Sequence, residues 1–141
     1  MSTKNQYKNE SLLALLREVE QFLSDGTNWC ASAVALDAKG KKVSWDNPRA
    51  TRWNMIGSVL YVGSDYTGAV TLQALGQIGQ AVYSLKKMST WEMSERLGRG
   101  AIVECVQIAL KNIEDLWIRS ETFEYIRYRD DYHVLPYEEG K

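Results

Sequence analysis

The 141-residue chain is poor in the residues that most often announce a function. It has one His, two Cys, two Pro and two Phe. One His and two Cys cannot complete a four-ligand zinc site without carboxylates. Cys30 and Cys105 do not form the framework of a small secreted domain, which needs more cysteines at regular spacing. No uninterrupted apolar run reaches the length of a membrane span. Neither sign of charge dominates, since 17 Lys+Arg face 18 Asp+Glu for a net −1. A dedicated nucleic-acid binder would carry a global positive field, so nucleic acid is disfavoured as a partner. The polar start, Ser2 to Gln6, lacks the apolar stretch of a signal peptide. A cytoplasmic protein without a membrane anchor is expected, with no cofactor and no metal.

What is abundant is aliphatic and aromatic surface. The hydrophobic fraction is 45%, with five Trp and eight Tyr. At this length a single domain buries about 70% of the surface its unfolded chain exposes. The pattern predicts a mainly α fold: a single compact domain of about five helices with one small β-hairpin. Residues 1–9 are expected as a disordered lead. Asn9 or Ser11 then caps a helix to about Ser24, whose stripe is Leu12, Leu15, Leu16, Val19, Phe22 and Leu23. Gly26 closes it. Asp37-Ala38-Lys39-Gly40 has the form of a hairpin turn, flanked by Val34–Leu36 and Lys42–Trp45. Asn47-Pro48 reads as a helix start, with the helix running through Trp53, Ile56, Leu60 and Tyr61 to about Gly63. A third helix spans about Ala69 to Lys86 with Leu72, Leu75, Ile78, Val82 and Leu85 inward. Gly76 and Gly79 in its interior imply another element close by. Ser89 and Glu92 form a capping box for a short fourth helix. The fifth, about Arg99 to Arg119, carries Ile102, Val106, Ala109, Ile113, Leu116 and Trp117, and a further helix is expected over Glu121 to Tyr132.

Residues 29–58 carry a more specific pattern. Trp29, Asp37-Ala38-Lys39-Gly40, Asn47-Pro48-Arg49-Ala50-Thr51-Arg52-Trp53 and Gly57-Ser58 follow in order. This stretch resembles a small bacterial and phage domain family of unknown function. The chain departs from it at Asn54, where the family often has Cys, and at Glu92-Met93, where it often has Asn-Asp. The resemblance implies an α-rich fold and a phage, mobile-element or bacterial cytoplasmic setting. It implies an accessory role, such as a host-defence inhibitor, and no reaction.

Three groups of residues are candidates for contact chemistry. Trp29, Trp45 and Trp53, with Arg49 and Arg52, could line a small-molecule or nucleotide pocket, since Arg binds phosphate or carboxylate bidentately. The alternative is that the indoles glue the hairpin to the helices and the arginines lie on a solvated face beside Asp37 and Asp46. The segment 121–141 combines five aromatics with six acids and three bases. Its Tyr125, Arg127, Tyr128, Arg129, Asp130 and Tyr132 have the composition of a protein interface. The alternative is a terminal helix packed on its own domain. Cys30, Cys105 and His133 are the only pieces for a thiol nucleophile and base, and no catalytic residue is assigned from them. Asp130-Asp131 is a weak start on an oxygen-ligand metal site, and charged surface explains it better.

The expectation is therefore a small non-enzymatic interaction protein that binds a protein partner. A ligand-binding protein or enzyme using the Trp–Arg group is the alternative. A homodimer through the broad stripe of residues 102–117 is a further arrangement to test.

Overall fold

The computed structural model describes residues 3–129, with side chains over 10–115. Helix α1 (Thr3–Asp25) begins well before the expected cap, so residues 3–9 are helical in place of a disordered lead. Its inner face is the stripe read from the sequence: Leu12, Leu15, Leu16, Val19 and Leu23 are buried, joined by Leu13. The helix stops at Gly26, whose φ of +84° is open to glycine at little cost. The exposed carbonyls of its last turn are met by Arg99, whose Nη1 donates to Leu23 O at 3.0 Å and Ser24 O at 3.2 Å. A cation at a helix C-terminus also complements the helix dipole.

The sheet differs from the expected hairpin. Strand β1 (Ala35–Asp37) pairs antiparallel with β2 (Ala50–Trp53), with Ala35 opposite Trp53 and Leu36 opposite Arg52. The predicted turn does form: the Gly40 amide donates to Asp37 O at 3.0 Å, and Gly40 has φ +82°. The returning segment makes one bridge, Leu36 to Lys42, before it leaves β1. Asn47-Pro48 therefore opens a turn rather than a helix. The Asn47 side chain accepts from the Arg49 amide at 2.8 Å, and Asn47 O accepts from the Ala50 amide at 2.9 Å. The helix read over this stretch begins only at Met55. In α2 (Met55–Val62), buried Asn54 is the cap, its Oδ1 accepting from the Gly57 amide at 2.9 Å.

A 3-10 turn at Gly63–Asp65 leads to α3 (Gly68–Lys86). Its buried residues are Val70, Thr71, Ala74, Ile78, Ala81 and Val82. This corrects the expected stripe, because Leu72 and Leu85 point outward. Small residues face the core, which lets α3 approach its neighbours closely. In α4 (Thr90–Arg96), Ser89 caps by accepting from the Glu92 amide at 3.1 Å, while the Glu92 carboxylate pairs with Arg96. One continuous helix, α5 (Arg99–Arg129), then replaces the two expected.

The core lies where α1 meets α2, α3 and α5. Ile102, Val106, Ala109 and Ile113 are buried there, so this part of the α5 stripe packs within the chain. Polar ties reinforce the α1–α5 pair at its rim, Arg17 to Glu114 at 2.9 Å and Gln107 to Glu20 at 2.8 Å. Tyr66 donates to Glu18 at 2.6 Å, and burial together with that carboxylate pushes its phenol up to about 12.

Two glycines separate tight packing from empty space. A Cβ on Gly57 would lie 2.1 Å from Val34 O and 3.1 Å from Trp53 Cδ1, whereas one on Gly76 would meet nothing within 4 Å. Gly57→Ala is expected to destabilise the protein by about 3 kcal/mol or more in urea unfolding. Gly76→Ala should instead stabilise it by roughly 0.5–1 kcal/mol. The same sign for both would contradict this packing.

Candidate functional site

Trp53 shows what became of the aromatic group. Its amide donates to Asn28 O at 2.8 Å and its carbonyl accepts from the Cys30 amide at 3.1 Å. Its indole Nε1 donates to Trp45 O at 2.9 Å. The ring stacks on Tyr61, centroids 4.3 Å apart and planes 24° apart, and tilts against Phe22 at 5.6 Å. Trp53 is buried, while Trp29 and Trp45 are half-buried. Trp53 thus has its one donor spent and its faces covered, which is the fit of a structural indole.

The arginines separate. Arg52 is half-buried and lies near Cys30. Arg49 is exposed and, with Asp37, Ala38 and Lys39, lines an open cavity of about 450 Å³ at the hairpin turn. Neither is ion-paired with Asp37 or Asp46 among the described residues. Asp46 instead accepts from Ser44 at 2.9 Å. The Asp37 carboxylate accepts the amides of Lys41 at 2.8 Å and Lys39 at 2.9 Å. Those donors hold it below the ordinary aspartate range, the Lys41 amide most, helped by the charges of Lys41 and Lys39.

Both thiols are free and buried. Burial pushes the Cys30 thiol up, against the opposing pull of the Ala33 backbone and the charge of Arg52, and its Sγ donates to Ala33 O at 3.3 Å. Burial also raises Cys105, aided by Glu104, and Cys105 Sγ rests 3.6 Å from Met93 Sδ. Raised thiols in apolar contact are poor nucleophiles. His133, Asp130 and Tyr132 lie outside the described residues. Tyr125, Arg127, Tyr128 and Arg129 fall on the last turns of α5, where the structure describes the backbone alone. Among the described residues no three His, Cys, Asp or Glu side chains gather as a metal site, and no helix is long and apolar enough to cross a membrane.

Sequence reasoning missed one surface. On α3, Leu72 is 69% exposed and Tyr83 60% exposed. They stand eleven residues apart, three turns along one side of the helix, with Gly76 and Gly79 between them. Lys87 lies 5.1 Å over the Tyr83 ring. Thr90 of α4 sits beside Gly79, and its neighbour Trp91 is also exposed. The signal is a leucine and a tyrosine sharing a helix face with glycines, but the expected stripe turns Leu72 inward and leaves Tyr83 unassigned.

Comparison with protein-family models, curated proteins and solved structures gives no match.

Two measurements check this site. Both cysteines should react with a thiol reagent only at the rate of unfolding, and a fast native-state burst would contradict their burial. Asp37 has a depressed carboxyl, so its support for the turn is present above the unfolded pKa of about 3.9 and is lost as pH falls through the lower folded value. The NMR shifts of the Lys39 and Lys41 amides should therefore hold at that unfolded value and move only below it. A midpoint at or above the ordinary value would refute the turn's hydrogen bonds.

Proposed function

We propose that this chain is a small non-enzymatic interaction protein that binds a protein partner. The observation that supports it best is the uncovered face of α3. Leu72 and Tyr83 expose apolar surface on the same side of the helix, and Trp91 on α4 adds to it. Exposed aromatic and aliphatic side chains gathered on one rigid element are the makings of an interface centre. Gly76 weakens the helix by roughly 0.5–1 kcal/mol relative to Ala, and among the described residues nothing lies within 4 Å of where its side chain would begin. A partner's backbone or ring approaching Gly76 would use that space. The tail residues Tyr125, Arg127, Tyr128, Arg129, Asp130 and Tyr132 supply a second contact set by composition. The resemblance of residues 29–58 supports a phage or mobile-element setting in the cytoplasm, where steric occlusion of a host-defence component is the simplest mechanism.

The test compares partner capture from the native host by the wild-type chain, by Leu72→Glu/Tyr83→Glu, and by a chain lacking 121–141. The double variant should lose the partner while its unfolding midpoint stays close to wild type, because exposed sites tolerate polar substitution within about 0.5 kcal/mol. Loss on truncation alone would move the contact to the tail. Undiminished capture by both would overturn the reading.

A further inference from the structure

The hairpin turn collects more cations than its own acids can neutralise. Residues 37–53 contain Lys39, Lys41, Lys42, Arg49 and Arg52 against Asp37 and Asp46. Both acids are engaged locally, Asp37 by the turn amides and Asp46 by Ser44. None of the five bases is ion-paired among the described residues. Lys39 and Arg49 line the open cavity of about 450 Å³, each from a different turn. Each turn is held by its own side chain, Asp37 at the first, where it also lines the cavity, and Asn47 at the second. Arg52 reaches the same tip, its Nη2 lying 4.0 Å from where a side chain on Gly40 would begin. The cations are thus presented by a preorganised backbone, which reduces the ordering cost of binding.

We propose that this cavity docks an acidic peptide segment, one in which Asp and Glu side chains are spaced by neutral residues. The inference rests on the reading of the chain as a protein-binding protein and adds a surface separate from the α3 face. A carboxylate suits the Arg49 fork, and Lys39 supplies a point charge across the cavity. The mixed signs favour peptide over nucleic acid. Asp37 and Asp46 stand among the five bases, so a uniformly charged phosphate chain meets repulsion that spaced carboxylates avoid. The net charge of −1 for the whole chain repels a long polyanion further.

Fluorescence anisotropy with a fluorescein-labelled eight-residue peptide of alternating Glu and Ser tests this directly on the full chain. A thymidine octanucleotide and inorganic phosphate serve as competing probes. The peptide should bind, more weakly as salt rises. Lys39→Glu/Arg49→Glu should weaken it by about tenfold or more. As a control, the charge-matched reversal Lys86→Glu on α3 with Lys111→Glu on α5 should change it by less than about twofold. Both sites of the first pair are exposed, and circular dichroism confirms that each variant is folded. Absent peptide binding would overturn the proposal, as would an equal loss in the control. An octanucleotide that binds tighter than the peptide, or phosphate that displaces the peptide at equal concentration, would also overturn it. Because the assay needs no native partner, its failure leaves the α3 face standing. Conversely, intact peptide binding with failed capture would isolate the fault in the α3 reading.

Discussion

Trp53 sits where the hairpin lobe meets the helices, and its place depends on Gly57 having no side chain. Val34 O occupies the space a Cβ on Gly57 would fill, and the indole edge closes on the same point. With that approach allowed, Val34 O also accepts the Asn54 amide at 3.2 Å, and Asn54 can cap α2. The ring then stacks on Tyr61 of α2 and meets Phe22 of α1. Trp53 also ties the 28–30 segment and Trp45 to itself through hydrogen bonds. A two-stranded sheet is marginal alone in water. Here it is held because one residue of β2 belongs equally to the sheet and to the helical core.

That dual membership explains which parts of the fold were legible in the sequence. The α1 stripe, the Asp37–Gly40 turn and the Ser89 cap are local patterns, set by residues within four positions of one another, and each is found, although Phe22 is only half-buried and the Glu92 carboxylate turns to Arg96 instead of completing the capping box. The 50–53 strand is not local. Its partner lies fifteen residues earlier, across two turns, while Asn47-Pro48 and the spacing of Trp53, Ile56 and Leu60 imitate a helix. Tertiary pairing overrode that imitation. On α3 the largest aliphatics drew the predicted face toward Leu72 and Leu85. The helix instead buries Ala74 and Ala81, because close packing against its neighbours needs small residues there.

The candidate sites divided along the same line. The tryptophans were weighed as core or pocket, and the geometry uses Trp53 as core while leaving Arg49 on the open cavity. The thiols are buried and less acidic than free cysteine. An apolar helix face and a cationic turn lie on separate elements, each carried by a rigid support. Such a pairing lets hydrophobic area supply affinity and charge supply orientation. The α3 face is not legible in the sequence, since the exposure of Leu72 is a tertiary fact. Arg49 and Arg52 are legible as carboxylate or phosphate binders, and only their grouping with Lys39 at the turn is tertiary.

Native-state hydrogen exchange tests the central constraint most directly. If Trp53 binds the hairpin lobe into the core, the amides of Cys30, Trp53 and Asn54 should exchange only through the same global opening that exposes the middle of α1 and α5. Their opening free energies would then match those of the core amides and fall together with denaturant. Exchange of these three through a low-energy local opening, with α1 and α5 still protected, would show the lobe to be a separate unit and contradict the account.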